Sequence, residues 1–307
     1  MSSPLGFVGL GAMGEPMAAT LRRAGVDVVG FDARPEVLTR AVREHGVRPA
    51  ASAHDVARQC TTVITMLPTS EHVERVLFGD GKLASGLARG SLVIDMSSGE
   101  PSVTRRLGQA LSTSAGVDMV DAPVSGNVAR ARQGDLAIML GGREQACERA
   151  APVLKPLARA VYRTGPLGSG QAMKALNNLA SAAGFWITSE VLTIGKKAGL
   201  DPEVMLNVLN ASTGSNNSTQ NKFKPFVLSG SYAGNFLLQL MVKDLGIARG
   251  LVTDTGAHAP MALELLVLWQ QALDSLGAAA DHTEVARYVA QMSGATLDSS
   301  SAHNTQE

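Results

Sequence analysis

The sequence predicts an α/β N-terminal half built on a mostly parallel sheet, a long connecting helix, and an all-α C-terminal half. Three observations carry this reading. Up to about residue 164, short apolar runs alternate with helix-period stretches, the pattern of strands covered by helices on both faces. Residues 171–198 contain no proline and read as one helix, roughly 40 Å long at 1.5 Å per residue. From there to about Met292 no segment has a convincing strand pattern. At 307 residues the chain is long enough for two domains, placed at 1–164 and 165–292. A polar, small-residue tail at 293–307 reads as disordered, or as ordered only against a neighbour.

The first apolar run, Leu5 to Val8, leads straight into Gly9-Leu10-Gly11-Ala12-Met13-Gly14, a G-x-G-x-x-G. Each glycine has a mechanical reason: Gly9 for a tight turn, Gly11 for close backbone approach to a phosphate, Gly14 for close helix–strand packing. Free N–H groups and the helix dipole then face the anion. Met17, Leu21 and Ala24 continue the helix, Gly25 ends it, and residues 26–31 form a second strand that closes on Asp32. Asp32 follows Gly14 by about 18 residues, near the spacing of the acid that holds the adenosine ribose. This order predicts a dinucleotide-binding, Rossmann-type domain. Asp32 favours NAD, because a carboxylate repels the 2′-phosphate of NADP. Arg34 is a solvated cation or a partner for that phosphate, which keeps NADP open.

Further strand signals lie at 62–67, stopping at Pro68, at 91–96, stopping at Ser97, at 116–121, at 136–140 and at 160–163. Open parallel sheets bind ligands beyond the carboxyl ends of their strands, so Leu67, Pro68, Ser97, Ser125, Gly126 and Asn127 are candidate site residues. Gly199 reads as the stop of the long helix, and Asp201-Pro202 as the cap and first turn of the next. Lys+Arg 27 balance Asp+Glu 27, which gives no sign of a nucleic-acid or membrane surface. Cys60 and Cys147 lack metal-ligand partners at close spacing and read as buried thiols in a reducing compartment. No apolar run reaches membrane-spanning length, and the first strand begins too near Met1 for a signal peptide; the expectation is a cytoplasmic protein without a metal. The apolar run 261–269 suggests burial against another subunit, in a homodimer or homotetramer.

The candidate chemistry sits at the start of the long helix. Lys174 and Asn178 are four residues apart and share a helix face, among mostly apolar or small neighbours. A lysine in a closed cleft between domains is pushed toward its neutral form, and can exchange a proton with a substrate oxygen. Asn178 offers both a donor and an acceptor to that oxygen.

These motifs, with Met66-Leu67-Pro68, Asp95-Met96-Ser97-Ser98, residues 121–126 reading DAPVSG, Gly168-x-Gly170, and Lys243-Asp244-Leu245, resemble the β-hydroxyacid dehydrogenase family, which includes 3-hydroxyisobutyrate dehydrogenase and tartronate semialdehyde reductase. The resemblance covers about residues 4–292, with six motifs in family order. It implies that Leu67, Pro68 and His72 lie along the cofactor, with Ser97 near the nicotinamide ribose. It implies that Ser125 and Gly126 hold a substrate carboxylate, that Lys174 is the general acid/base beside Asn178, and that Lys243 touches the cofactor. Asp244 would be structural. Ser97 has a second reading, as a helix N-cap with Glu100 completing a capping box. Where the family has a second glycine this chain has Asn127, which would add an amide at the carboxylate pocket. The polar stretch 212–218 lines the substrate cleft or is an ordinary loop. The expectation is hydride transfer between NAD(H) and a small 3-hydroxy acid. The alternatives are an NADPH-dependent reductase of small semialdehydes (glyoxylate, succinic or tartronate semialdehyde) and a non-catalytic cofactor-binding protein.

Overall fold

The computed structural model describes residues 3–298. The chain divides into two compact units, between Lys174 and Ala175. This lies inside the connecting helix and beyond the expected boundary at 164/165. The reason is local: the N–H groups of Gly168 and Gln171 donate to the Asp121 carboxylate, which ties the helix start to the first unit.

The first unit runs β1 (Leu5–Val8), α1 (Gly14–Arg23), β2 (Val28–Phe31), α2 (Pro35–His45), β3 (Arg48–Pro49), α3 (Ala53–Gln59), β4 (Thr62–Thr65), α4 (Ser70–Phe78), α5 (Leu83–Gly86), β5 (Leu92–Asp95), α6 (Pro101–Ala115), β6 (Asp118–Asp121), β7 (Val124–Ser125), α7 (Val128–Gln133), β8 (Leu136–Gly141), α8 (Glu144–Leu154) and β9 (Ala158–Gly165). The sheet order is β3-β2-β1-β4-β5-β6-β8-β7, with β9 against β8. The first six strands pair parallel, the order of a dinucleotide-binding sheet. Strand β8 runs antiparallel to β6 and β7 and parallel to β9, so the sheet is mostly parallel as predicted. Helices pack on both faces of the parallel part. A Cβ at Gly6 would lie 2.6 Å from Val56 Cγ1, so glycine in β1 lets α3 sit directly on the strand. Cys60 and Cys147 are buried and free.

Register across the sheet aligns Phe31, Val8, Thr65, Asp95 and Asp121 in one row at the carboxyl ends. Three of these, Thr65, Asp95 and Asp121, are polar and buried. Asp95 Oδ1 accepts from Thr65 Oγ1 (2.8 Å) and from Ser97 N (3.1 Å). Burial pushes the Asp95 carboxyl up to about 6, against the pull of these hydrogen bonds. Burial raises Asp121 as well, opposed by the backbone N–H groups it accepts.

The second unit begins within α9 (Ser169–Lys197), a helix of 29 residues. Gly199 in the left-handed region ends the segment, and Asp201 caps α10 (Pro202–Asn210) by accepting from Glu203 N and Val204 N at 2.8 and 2.9 Å. There follow α11 (Asn217–Asn221), a π-helical turn (Phe223–Leu228), α12 (Leu238–Thr255), α13 (Pro260–Leu276) and α14 (Val285–Met292). Its core is aromatic: Phe185 lies 4.9 Å from Phe223 and 6.2 Å from Trp269, and Trp186 lies 6.1 Å from Trp269, centroid to centroid. Within the tail that starts at 293, expected to be disordered, Ser293, Gly294 and Thr296 are exposed and Ala295 is partly buried against the helical core. Leu297 is buried in that core. Residues 299–307 of that expectation lie outside the described residues. Among the described residues no helix is long and apolar enough to cross a membrane.

The raised Asp95 carboxyl has a pH signature. Its contribution to stability is fully present below the unfolded value of 3.8 and is lost as pH rises through about 6, up to a limit of about 3 kcal/mol. Asp95→Asn keeps the acceptor oxygen and removes the titration. In urea unfolding it is therefore expected to gain stability relative to wild type at about pH 8 and not at about pH 4. A difference that does not change with pH would remove this account of Asp95.

Candidate active site

The glycine turn is held by backbone contacts that only glycine permits. Gly9 has φ +97°, and a Cβ there would lie 2.3 Å from the Met66 carbonyl oxygen. A Cβ on Gly14 would lie 1.9 Å from the Gly9 carbonyl oxygen, so α1 is locked against the turn. A Cβ on Gly11 would meet only Arg34 Nη2, at 3.3 Å, so the backbone there is otherwise open on that side. Helix α1 starts with Met13 as N-cap and no side chain accepts from its first N–H groups. Such an end suits an anion. The one acid in its first turn, Glu15, is neutralised by Arg40, whose Nε donates to both carboxylate oxygens at 2.8 and 3.0 Å. The Arg40 hydrogen bond holds the Glu15 carboxyl below its usual range.

Asp32 directly follows β2, with its side chain 8% exposed. Its Oδ2 accepts from Leu10 N (2.8 Å), which draws the acid onto the glycine turn. Its Oδ1 accepts from Arg34 N (2.9 Å) and Arg34 Nε (3.2 Å). The cradle, the uncapped helix and the acid at the end of β2 fit the pyrophosphate and ribose of a dinucleotide. Leu10, Ala12 and Met13 complete the same turn.

The other loops converge at the row of strand ends. Leu67 N donates to Ser97 Oγ at 2.9 Å, which joins the loops after β4 and β5. Ser97 is fully buried and is not an N-cap: α6 starts at Pro101, and Ser70 Oγ, not Ser97, accepts from Glu100 N. The capping-box reading therefore gives way, because no helix begins at Ser97: the chain bends there, and Glu100 is the N-cap of α6. His72 lies in the first turn of α4, after Pro68, with its Nδ1 2.7 Å from the hydroxyl of the N-cap Thr69. Ser125 ends β7 half-buried, and Gly126 has φ +145° with the Leu136 side chain 2.7 Å from where its Cβ would be. Asn127 is the N-cap of α7, its Oδ1 accepting from Arg130 N at 3.0 Å, with φ −98°. Asparagine and glycine are both good N-caps, so the exchange at this position preserves the turn. Its amide oxygen is spent on the helix rather than offered to a ligand.

On α9, Lys174 is half-buried and Asn178, one turn on, is buried. Asn178 Nδ2 donates to Asp244 Oδ2 at 2.6 Å, and Lys243 Nζ stands 3.1 Å from Asp244 Oδ1. Asn177 Nδ2 donates to Asn178 Oδ1 at 3.2 Å. The carboxylate, which can only accept, fixes which end of the Asn178 amide faces it. Asp244, expected to be merely structural, thus holds two of the candidate residues. In the polar stretch 212–218, Asn216 forms a capping box with Thr219 and donates through Nδ2 to Thr188 Oγ1 at 3.0 Å, which gives that residue a structural task. Reading of the sequence missed Gln171, buried one turn before Lys174. Its sole signal was a polar residue on an otherwise apolar helix start.

Comparison with known proteins identifies the family. The model for the NAD binding domain of 6-phosphogluconate dehydrogenase matches residues 4–165, and that for the NAD-binding domain of NADP-dependent 3-hydroxyisobutyrate dehydrogenase matches residues 168–289. The chain is 38% identical to 2-(hydroxymethyl)glutarate dehydrogenase of Eubacterium barkeri over 247 residues, 80% of this chain and 81% of that one. It is 38% identical to 3-hydroxyisobutyrate dehydrogenase of Pseudomonas aeruginosa over 264 residues, 84% of this chain and 88% of that one. The solved structure of Mycobacterium tuberculosis 3-hydroxyisobutyrate dehydrogenase with L-serine is similar at a TM-score of 0.85 and 33% identity, covering 94% of this chain and 99% of that one. The glycine cradle with its acid, the strand-end loops and the Lys174 helix therefore belong to a member of the β-hydroxyacid dehydrogenase family, an NAD(P)-dependent oxidoreductase of hydroxy acids.

Proposed function

We propose that this enzyme interconverts a small 3-hydroxy acid of the 3-hydroxyisobutyrate type and its semialdehyde, with Lys174 as general acid/base. The observation that carries the reading is Lys174 half-buried on the first turns of α9, one turn from an Asn178 whose amide is oriented by Asp244. The bound nicotinamide supplies hydride acceptance or donation at the substrate carbon. In the oxidative direction neutral Lys174 takes the hydroxyl proton; in the reductive direction it returns a proton to the aldehyde oxygen. Asn178 holds that oxygen or the lysine. The Ser125 hydroxyl and backbone N–H groups from Gly126 and Asn127 onward hold the carboxylate. Leu67, Pro68, His72, Ser97 and Lys243 serve the cofactor.

NAD is the preferred cofactor in this reading, on the strength of Asp32. The second reading, NADPH-dependent reduction of a semialdehyde, is favoured by one observation: the Arg34 guanidinium beside Asp32 and over Gly11. We also read the protein as a cytosolic homo-oligomer. The support is its buried free thiols and an apolar face on α13, where Met261 is 81% exposed and Leu263 and Val267 are also exposed.

Three outcomes are expected. Lys174→Ala loses turnover by ~10²–10⁴-fold while still binding NADH in a fluorescence titration. Retention of more than about a tenth of kcat would count against the general acid/base role. Asp32→Ala erodes the preference for NADH over NADPH in kcat/KM; an unchanged ratio would show that the acid does not select the cofactor. Light scattering behind size exclusion gives a dimer or tetramer, and a monomer mass would return the α13 face to solvent.

A further inference from the structure

The first turn of α9 is held by side chains on two sides. Asp121, fully buried at the end of β6, accepts from Gly168 N through Oδ1 (2.7 Å) and from Gln171 N through Oδ2 (2.8 Å). Room for this carboxylate is made by glycine: a Cβ at Gly141 would lie 2.6 Å from Asp121 Oδ1, and one at Gly170 would lie 2.8 Å from Oδ2. Gln171, itself 1% exposed, makes the second attachment. Its Nε2 donates to the Ser97 carbonyl and its Oε1 accepts from Gly99 N, both at 2.8 Å. Ser97 is bonded in turn to Leu67 N through its hydroxyl and to Asp95 through its own N–H, and Asp95 accepts from Thr65. An unbroken line of buried hydrogen bonds therefore joins the ends of β4, β5 and β6 to the helix that carries Lys174.

The two attachments do different things. Asp121 grips backbone N–H groups at the helix end, which sets how far the first turn of α9 stands from the sheet. Gln171 reaches sideways to the loop after β5, which sets the rotation of α9 about its axis. Lys174 is three residues on, so its direction from the axis follows that rotation. The pairing also requires an amide: one end must accept from Gly99 and the other must donate to Ser97, which neither a carboxylate nor a leucine side chain can do. Without the amide, the Gly99 N–H and the Ser97 carbonyl would be left buried and unpaired, so the tether serves stability as well as direction, and only a readout tied to Lys174 separates the two.

We propose that Gln171 and Asp121 are positioning residues for Lys174, holding its amine in register with the strand-end loops that receive the substrate. This rests on the proposed role of Lys174. Displacement of a reacting group by about 1 Å costs on the order of 10²-fold in rate, which is the loss such a tether prevents.

The test is Gln171→Leu in the full-length enzyme, alone and combined with Lys174→Ala. Alone, it is expected to lower kcat by about 10- to 100-fold while leaving the NADH dissociation constant within about twofold. Faster hydrogen exchange at the amides of α9's first turn should accompany the loss. In the Lys174→Ala background it should cost nothing further, because the group it positions is gone. Wild-type kcat in Gln171→Leu, or a full additional loss in the double variant, would overturn the proposal. If Gln171→Leu does not fold, Asp121→Asn, which turns one acceptor into a donor facing an N–H, enters the same cycle. Lys174→Ala alone separates the two claims: high residual activity there sinks the acid/base reading, whereas low residual activity with additive losses sinks only the positioning role.

Discussion

In-register parallel pairing is the constraint on which the rest of the first unit depends. Because β2, β1, β4, β5 and β6 end on one row, the loops that leave them start level and side by side. A slip of one residue in any strand would turn its terminal side chain to the opposite face of the sheet. Asp32, just beyond that row, reaches back to Leu10 N. Asp95 and Asp121, on the row, turn into the protein and bind Ser97 N–H and the start of α9. The same backbone periodicity thus assigns one acid to the glycine turn and two to the interior.

The two interior acids are costly to desolvate, and Asp95 shows it in a carboxyl raised to about 6. They are tolerable because each is surrounded by donors. Backbone N–H groups suit this task, since they cannot rotate away and their partners would otherwise go unsatisfied at a helix start or a loop. Buried carboxylates at these positions give up some stability for a defined arrangement of loops, a trade expected where catalytic geometry matters more than folding energy.

Much of this could be read from the residues. The alternating apolar runs gave the sheet, and the proline-free stretch with Gly199 and Asp201-Pro202 gave the long helix to within two residues at its start. Strands β3 and β7 were invisible because two residues carry no periodicity. Asp32, Lys174 and Asn178 stood out because polar groups were misplaced in apolar surroundings or fell at a known spacing. Gln171, Asp121 and Asp244 did not, because the groups they hydrogen-bond are more than forty residues away and most of those groups are backbone atoms, which look alike in any sequence. The reading of Ser97 as a cap failed for the opposite reason. Ser-x-x-Glu is a local pattern, and the buried hydroxyl was already claimed by Leu67 from another loop.

Under the proposed roles of Asp32 and Arg34, the ion pair just after β2 makes cofactor choice a solution property as well as a structural one. Arg34 is 58% exposed, so its attraction to Asp32 passes largely through water and weakens as salt is added. The acid, sheltered and held by Leu10 N, keeps its place whatever the ionic strength. The balance between a carboxylate that repels a 2′-phosphate and a guanidinium that attracts one is therefore struck by a fixed member and a screened member. Adding salt shifts that balance without moving any atom of the sheet.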